Sequence, residues 1–286
     1  MMPAIPTSTK ETPILLEDDD TYFARPHYWG STDAKRFHES PQKANDYRTG
    51  IVPEPDSAAF AFGRAWDCMQ TAPDDFAKRF VVRPAGIDGR TKAGKEWLAE
   101  AQASGREVIK QEDADRLDIM ANRMPQEIRD RLDTYTVGQA VIRVGHALQS
   151  DWMQEPVWYA QGKIDLLLPD CMVDVKTTSN SLENFARSAY NFGYHIQAAW
   201  YRRIWLHITQ QRMPFHFCVT ETQSPFRTAW FTPTYDEKDD LQFYQLGDKI
   251  ATTIEAGITA CYALGSWHDT KPVFQPLSLP AWVRKD

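Results

Sequence analysis

The chain has 286 residues, 42% of them hydrophobic, and carries 32 Lys and Arg against 39 Asp and Glu for a formal charge of −7. That length can bury a sizeable core as one large domain or as one domain with an N-terminal elaboration, while the acidic balance argues against a protein that coats nucleic acid nonspecifically, since such affinity comes mainly from Lys and Arg at phosphates. Cys68, Cys171, Cys218 and Cys261 form no C-x-x-C pair, and the chain shows neither a signal peptide nor a run of eighteen apolar residues. Zinc-ribbon and iron–sulfur sites are therefore not indicated, and the expectation is a cytoplasmic protein with reduced thiols and no membrane partner.

Residues 1–25, rich in Pro and Thr and containing the acidic run Glu17-Asp18-Asp19-Asp20, read as a flexible tail whose charges are solvated, and 26–286 as the folded domain. A loop over Tyr47 to Ser57, with Pro53 and Pro55, precedes a helix over 58–72 in which Asp67 is set among apolar neighbours. An acid in such a place either caps something or binds something. Short helices are predicted over 73–80 and 91–103. A helix from 111 to 132 follows, opened by Glu112, Asp113 and Asp115, which favour an N-terminal turn. From 139 to 176 the pattern turns to strands, and the 156–162 segment is expected to pair with a hairpin that follows it. Helices are predicted over 182–191 and 195–208, strands over 215–220 and 227–233, and a long helix over 236–264. This order suggests an α/β (α+β) fold with a mixed central β-sheet flanked by helices.

The most informative stretch is 162–178. Two apolar runs, 163–168 and 171–177, flank Pro169-Asp170, so a two-residue loop makes Leu168 face Cys171 and brings Asp165 opposite Asp174. Residues so opposed share a face with Cβ atoms roughly 4.5–5.5 Å apart, and the period of two adds Lys176 to that face. Leu166, Val173 and Val175 point the other way, into a core. Two opposed carboxylates repel, and a divalent cation removes the conflict. Oxygen ligands suit Mg²⁺ or Mn²⁺, held by one or two carboxylates with positions left for water and a phosphate oxygen, beside which a lysine orients water and offsets phosphate charge. The alternative is a solvated hairpin face with scattered charges.

Two further features bear on nucleic acid. Gln197 and Tyr201 sit i, i+4 on one helix face, with Tyr194 and His195 near its start; they could touch DNA or simply pack and hydrogen-bond within the fold. Lys78, Arg79, Arg83, Arg90, Lys92, Lys95, Arg202 and Arg203 are candidates for a basic channel, or ordinary helix surface.

Asp165 followed by Asp174-Val175-Lys176-Thr177-Thr178 resembles the core of the PD-(D/E)XK nuclease superfamily, and Gln197-x-x-x-Tyr201 resembles the Q-x-x-x-Y motif of its RecB-like exonuclease branch. More specifically, the chain is similar to the RecE-like nuclease domains of exodeoxyribonuclease VIII type. That likeness rests on Phe62-Gly63-Arg64-Ala65, Pro73-x-x-Phe76-x-x-Arg79-Phe80, Arg90-Thr91-x-Ala93-Gly94-Lys95, Tyr194-His195-x-Gln197 and Leu277-Ser278-Leu279-Pro280-x-Trp282, besides the hairpin, and runs from about residue 30 to the C-terminus in consistent order. The resemblance implies a restriction-endonuclease-like fold and a Mg²⁺-dependent, ATP-independent 5′-to-3′ exonuclease on linear double-stranded DNA ends. Such an enzyme leaves 3′ overhangs for a single-strand annealing partner and assembles as a homo-oligomeric ring. It also implies Asp165, Asp174 and the Val175 carbonyl as metal ligands, Lys176 as the water-positioning base, and Gln197 and Tyr201 as supports of the site or the DNA end.

One departure stands out. The family carries histidine in the pattern G-x-A-x-H on the early helix, whereas Gly63-Arg64-Ala65-Trp66 is followed here by Asp67. Aspartate is a harder ligand than imidazole, so Asp67 joins the metal set with an altered metal preference, or else marks an attenuated copy. A structure-specific or restriction-like endonuclease and a non-enzymatic module that binds DNA or a partner stay open as alternatives.

Overall fold

The computed structural model describes residues 14–24, 26–147, 156–233 and 242–269. The strands are β1 (Ile14–Leu16), β2 (Tyr28–Trp29), β3 (Phe80–Arg83), β4 (Glu107–Lys110), β5 (Val137–Ala147), β6 (Pro156–Leu167), β7 (Met172–Thr178), β8 (Phe215–Glu221) and β9 (Thr228–Phe231). The helices are α1 (Asp19–Phe23), α2 (Ser31–Glu39), α3 (Pro41–Arg48), α4 (Ala58–Thr71), α5 (Phe76–Arg79), α6 (Lys92–Ala103), α7 (Gln111–Arg123), α8 (Gln126–Leu132), α9 (Phe185–Asn191), α10 (Tyr194–Thr209) and α11 (Phe243–Leu264).

The main sheet runs β1-β5-β6-β7-β8-β9, with β2 also paired to β6; β7 and β8 are parallel, β5, β6 and β7 antiparallel, and β3 and β4 form a separate parallel pair. This is the mixed sheet flanked by helices expected from the pattern. One face packs against α2, α10 and α11 through Trp158, Ile164, Leu167, Met172, Phe215 and Phe217. The other packs against α4 and α7 through Leu166, Val173, Val175 and Cys218, which meet Phe62, Trp66, Leu117 and Met120. Burying large apolar side chains on both faces contributes about 1.5–3 kcal/mol for each one. Helix α10 lies where it is covered nearly all round, and Gly162 of β6 lets it approach: a Cβ there would stand 2.8 Å from the Tyr201 ring.

The outer edge of β6 is shared by two strands. β2 takes its first part, at Tyr159 and Ala160, while β7 takes its end, at Leu166 and Leu167. Between them the edge opens. The hairpin turn is the expected one, with Leu168 N–H donating to the Cys171 carbonyl at 2.9 Å, but the β6–β7 ladder stops after the pair Leu166 and Val173. Asp165 and Asp174 are thus not a laddered pair, and the strands diverge where the two acids lie.

Several boundaries differ from the sequence reading. Within the supposed tail, β1 pairs with β5 and Asp18 caps α1; Glu17 meets Arg143, and Asp19 meets Lys163 and Arg79, so this acidic run is held by cations. Residues 73–80 give only a 3₁₀ turn and α5 before β3 begins. The long helix 111–132 is broken at Met124-Pro125, because Pro125 has no N–H to continue the ladder. The 156–162 segment is continuous with the hairpin's first arm. Leu277–Trp282 and the start of the 236–264 helix fall outside the described residues. Among the described residues no helix is long and apolar enough to cross a membrane, and the four cysteines form no disulfide.

Candidate metal and phosphate site

The open edge of β6 forms the floor of a cavity of about 1080 Å³ lined by Asp67, Asp165, Asp174, Val175, Lys176, Gln197 and Tyr201. These seven residues come from α4, β6, β7 and α10, and Asp67 is the one remote in sequence from the rest. Asp174 is 2% exposed; its Oδ1 accepts from Gln197 Nε2 at 2.5 Å, and its Oδ2 forms an ion pair with Lys176 Nζ at 2.5 Å. Asp165 uses the gap left by the diverging strands, its Oδ2 accepting the Val175 N–H at 2.8 Å. This bond replaces a ladder bond and ties the acid to the strand that carries Asp174. Asp67 projects from α4, with a buried Oδ1 that has no hydrogen-bond partner among the described residues.

The electrostatics are unbalanced. Burial, with the neighbouring Asp67 and Asp174 carboxylates, pushes the Asp165 carboxyl well above its ordinary range, and burial pushes Asp67 up to about 6, with Asp174 adding to it and Lys176 opposing. Burial works against the charge of Lys176, but Asp174 and Asp165 outweigh it and hold the ammonium above its usual value. In this arrangement Lys176 is the counter-ion of Asp174. Tyr201 is pushed up to about 12 by burial and by the two hairpin acids.

Oxygen donors of this kind, three carboxylates near one lysine, are those a hard divalent cation prefers. Among the described residues no three His, Cys, Asp or Glu side chains converge into a ready-made cage. A divalent ion that keeps several of its waters would need only one or two of these carboxylates directly. The unpartnered Asp67 Oδ1 and the mutual repulsion of the acids are both relieved by such an ion. The residues present therefore fit a divalent metal, with Asp165, Asp174 and the Val175 carbonyl as holders and Asp67 beside them.

The cations bordering the cavity are not those expected. Lys35, Arg64, Lys110, Arg116 and Lys176 line it, whereas Lys78, Arg79, Arg90, Lys92 and Arg203 are each paired with a nearby acid elsewhere, and Arg202 stacks on Tyr244. Lys35, on α2, is depressed to about 8 by burial and by Lys176, with Asp174 opposing. Both Lys35 Nζ and Lys176 Nζ lie over the Tyr194 ring, at 5.7 and 5.3 Å. A signal that could have pointed to Lys35 is its place between the buried Ala34 and Phe37 on α2.

Residues 30–255 match the family described as "PDDEXK-like domain of unknown function (DUF3799)". The chain belongs to that family. A solved structure from Eubacterium rectale, described as a "Putative exonuclease", superposes with a TM-score of 0.56 over 92% of this chain and 97% of the other, at 14% sequence identity. The shared fold is that of PD-(D/E)XK nucleases, whose members generally use divalent metals. No curated protein matches the sequence.

Proposed function

We propose that the protein is a metal-dependent, ATP-independent 5′-to-3′ exonuclease of RecE type, acting on linear double-stranded DNA ends and leaving 3′ overhangs for an annealing partner. The observation that carries this reading is the cluster of three acids and one lysine on the open edge of β6, inside a cavity bordered by further cations. The description of the E. rectale structure and the Q-x-x-x-Y spacing support an exonuclease over other activities on the fold.

Water attacks phosphorus in line, the bond from phosphorus to the 3′ oxygen breaks, and the leaving oxygen takes a proton, giving a 5′-phosphate and a 3′-hydroxyl. A bound divalent cation supplies Lewis-acid polarisation of the phosphoryl group and acidifies water. The protein's own residues do the rest. Asp165 and Asp174 would hold the ion, Gln197 fixes the Asp174 carboxylate through its hydrogen bond, and Lys176 would offset charge on the phosphate. Mg²⁺ is the expected ion, with Mn²⁺ as a substitute.

The test is digestion of linear duplex DNA labelled separately at each 5′ and 3′ end, with Mg²⁺, Mn²⁺ or chelator, beside closed circular DNA and a Lys176→Ala control. Early release of 5′ label, dependent on metal and on Lys176 and absent with circles, is the expected result. Cutting of circles would mark an endonuclease instead, and metal-independent binding without cleavage a binding module.

A further inference from the structure

Gln139, the third residue of β5, has φ of +53°, although it is neither glycine nor in a turn. Such a conformation costs of order 1–3 kcal/mol and persists only where the surroundings enforce it. Its rung of the sheet is irregular. Gly138 pairs with Leu166 and Ala140 with Ile164, but Gln139 and Asp165, which lie between, form no ladder pair. On both strands the core alternation slips there: Val137 and Ala140 enter the same core three residues apart, and so do Ile164 and Leu167. A regular strand would space them by an even number. The strained residue therefore sits at the step that turns Asp165 out of the ladder and into the cavity.

The side chain of Gln139 reaches a second acid. Its Nε2 donates to Thr71 Oγ1 at 2.8 Å and lies 3.5 Å from Asp67 Oδ2, while Thr71 Oγ1 donates to the Asp67 carbonyl at 2.9 Å. Beside it, Gly138 lets β5 come against the end of α4, since a Cβ there would stand 2.7 Å from the Thr71 carbonyl oxygen. The last turn of α4, which carries Asp67, is thus clamped to the strand that kinks opposite Asp165. The Asp67 Oδ1 left without a partner is the oxygen this clamp leaves free.

We propose that Gln139 is a positioning residue for the metal site: its left-handed backbone places Asp165, and its amide holds Asp67 on the same ion or its bound waters. The proposal rests on the metal-dependent reading above and assigns a role to a residue outside the motif. Partners one step out from the ligands typically change metal affinity 10–100-fold when removed.

The test is calorimetric titration of the full chain with Mn²⁺ alone, without DNA, for the unaltered protein, Gln139→Gly and Thr71→Val. Glycine keeps the φ > 0 backbone at no steric cost and removes only the amide, so the fold should survive with an unchanged or raised melting temperature. The expected result is Mn²⁺ binding about ten-fold weaker in Gln139→Gly, with a smaller loss in Thr71→Val. Unchanged affinity in Gln139→Gly, with normal binding by the unaltered protein, would overturn the positioning role alone. Absence of Mn²⁺ binding by the unaltered protein would overturn the metal-dependent reading and this role with it.

Discussion

Two ionic clusters meet β6, one at Gln161 and the other at Asp165, and they are built on opposite principles. In the first, Arg143 meets Glu17 through two parallel bonds of 2.7 and 2.5 Å, with Gln161 taking its Nε at 3.2 Å and the Tyr28 ring covering the guanidinium. Both side chains are nearly buried, at 9% and 12% exposure, and cation and acid balance one to one. In the second, Asp67, Asp165 and Asp174 share a single close lysine, and two of the three carboxyls are driven up in pKa. The same fold that satisfies charge fully at one place leaves it unsatisfied at another. Structural clusters close on themselves, whereas a cluster that needs an absent charge marks the place where a ligand belongs.

The largest expected effect falls on the unbalanced cluster. Asp174→Asn should lower single-turnover cleavage of linear duplex by about 10³-fold while leaving the melting temperature of the chelated protein near its original value. The mirror-image change, Arg143→Ala, strands Glu17 in a nearly buried position and should cost about 3 kcal/mol of stability in urea titrations, with metal affinity of the folded fraction unaltered. Loss of metal binding in Arg143→Ala would show that the two clusters are not independent. Gly162→Ala presses on the Tyr201 ring and should cost about 1–3 kcal/mol, read as a shift in urea midpoint.

The smallest effect is a pH dependence of opposite sign to that of an ordinary salt bridge. Asp67 is raised to about 6 in the folded chain, above its unfolded value of about 4. Between those values the native state holds more protons than the unfolded chain, so the contribution of Asp67 to stability is greatest on the acid side and falls as pH rises through that window. The stability difference between the chelated parent and Asp67→Asn should therefore shift by on the order of 1 kcal/mol from pH 4 to pH 6, the parent losing relative to the variant. A parent that gains over the same range would contradict the burial of an uncompensated acid.

Much of the unbalanced cluster was legible in the sequence, and little of the balanced one. The turn at Pro169-Asp170 fixes the hairpin register, and Leu166, Val173 and Val175 enter one core as their alternation requires. Asp165, Asp174 and Lys176 could accordingly be placed together from spacing alone. The i, i+4 pair Gln197 and Tyr201 reached the same cavity because α10 is buried nearly all round. What spacing could not reveal was the divergence of β6 and β7, where β2, 131 residues upstream of its partners, takes the neighbouring part of the β6 edge. Gln139 was equally hidden, because no local composition signals a left-handed residue within a strand. The acidic run near the N-terminus looked solvated because its cations, Arg79, Arg143 and Lys163, are all remote in sequence.

The contrast between the clusters is tested most directly by titrating Mg²⁺ and Mn²⁺ into the unaltered protein and Asp165→Asn at pH 7, following heat and proton release together. Binding by the unaltered protein, with protons released from the raised carboxyls, and at least about ten-fold weaker binding by Asp165→Asn are expected. Equal affinity in the two proteins, or no binding by the unaltered one, would contradict the account, because the excess of acids would then serve something other than a cation.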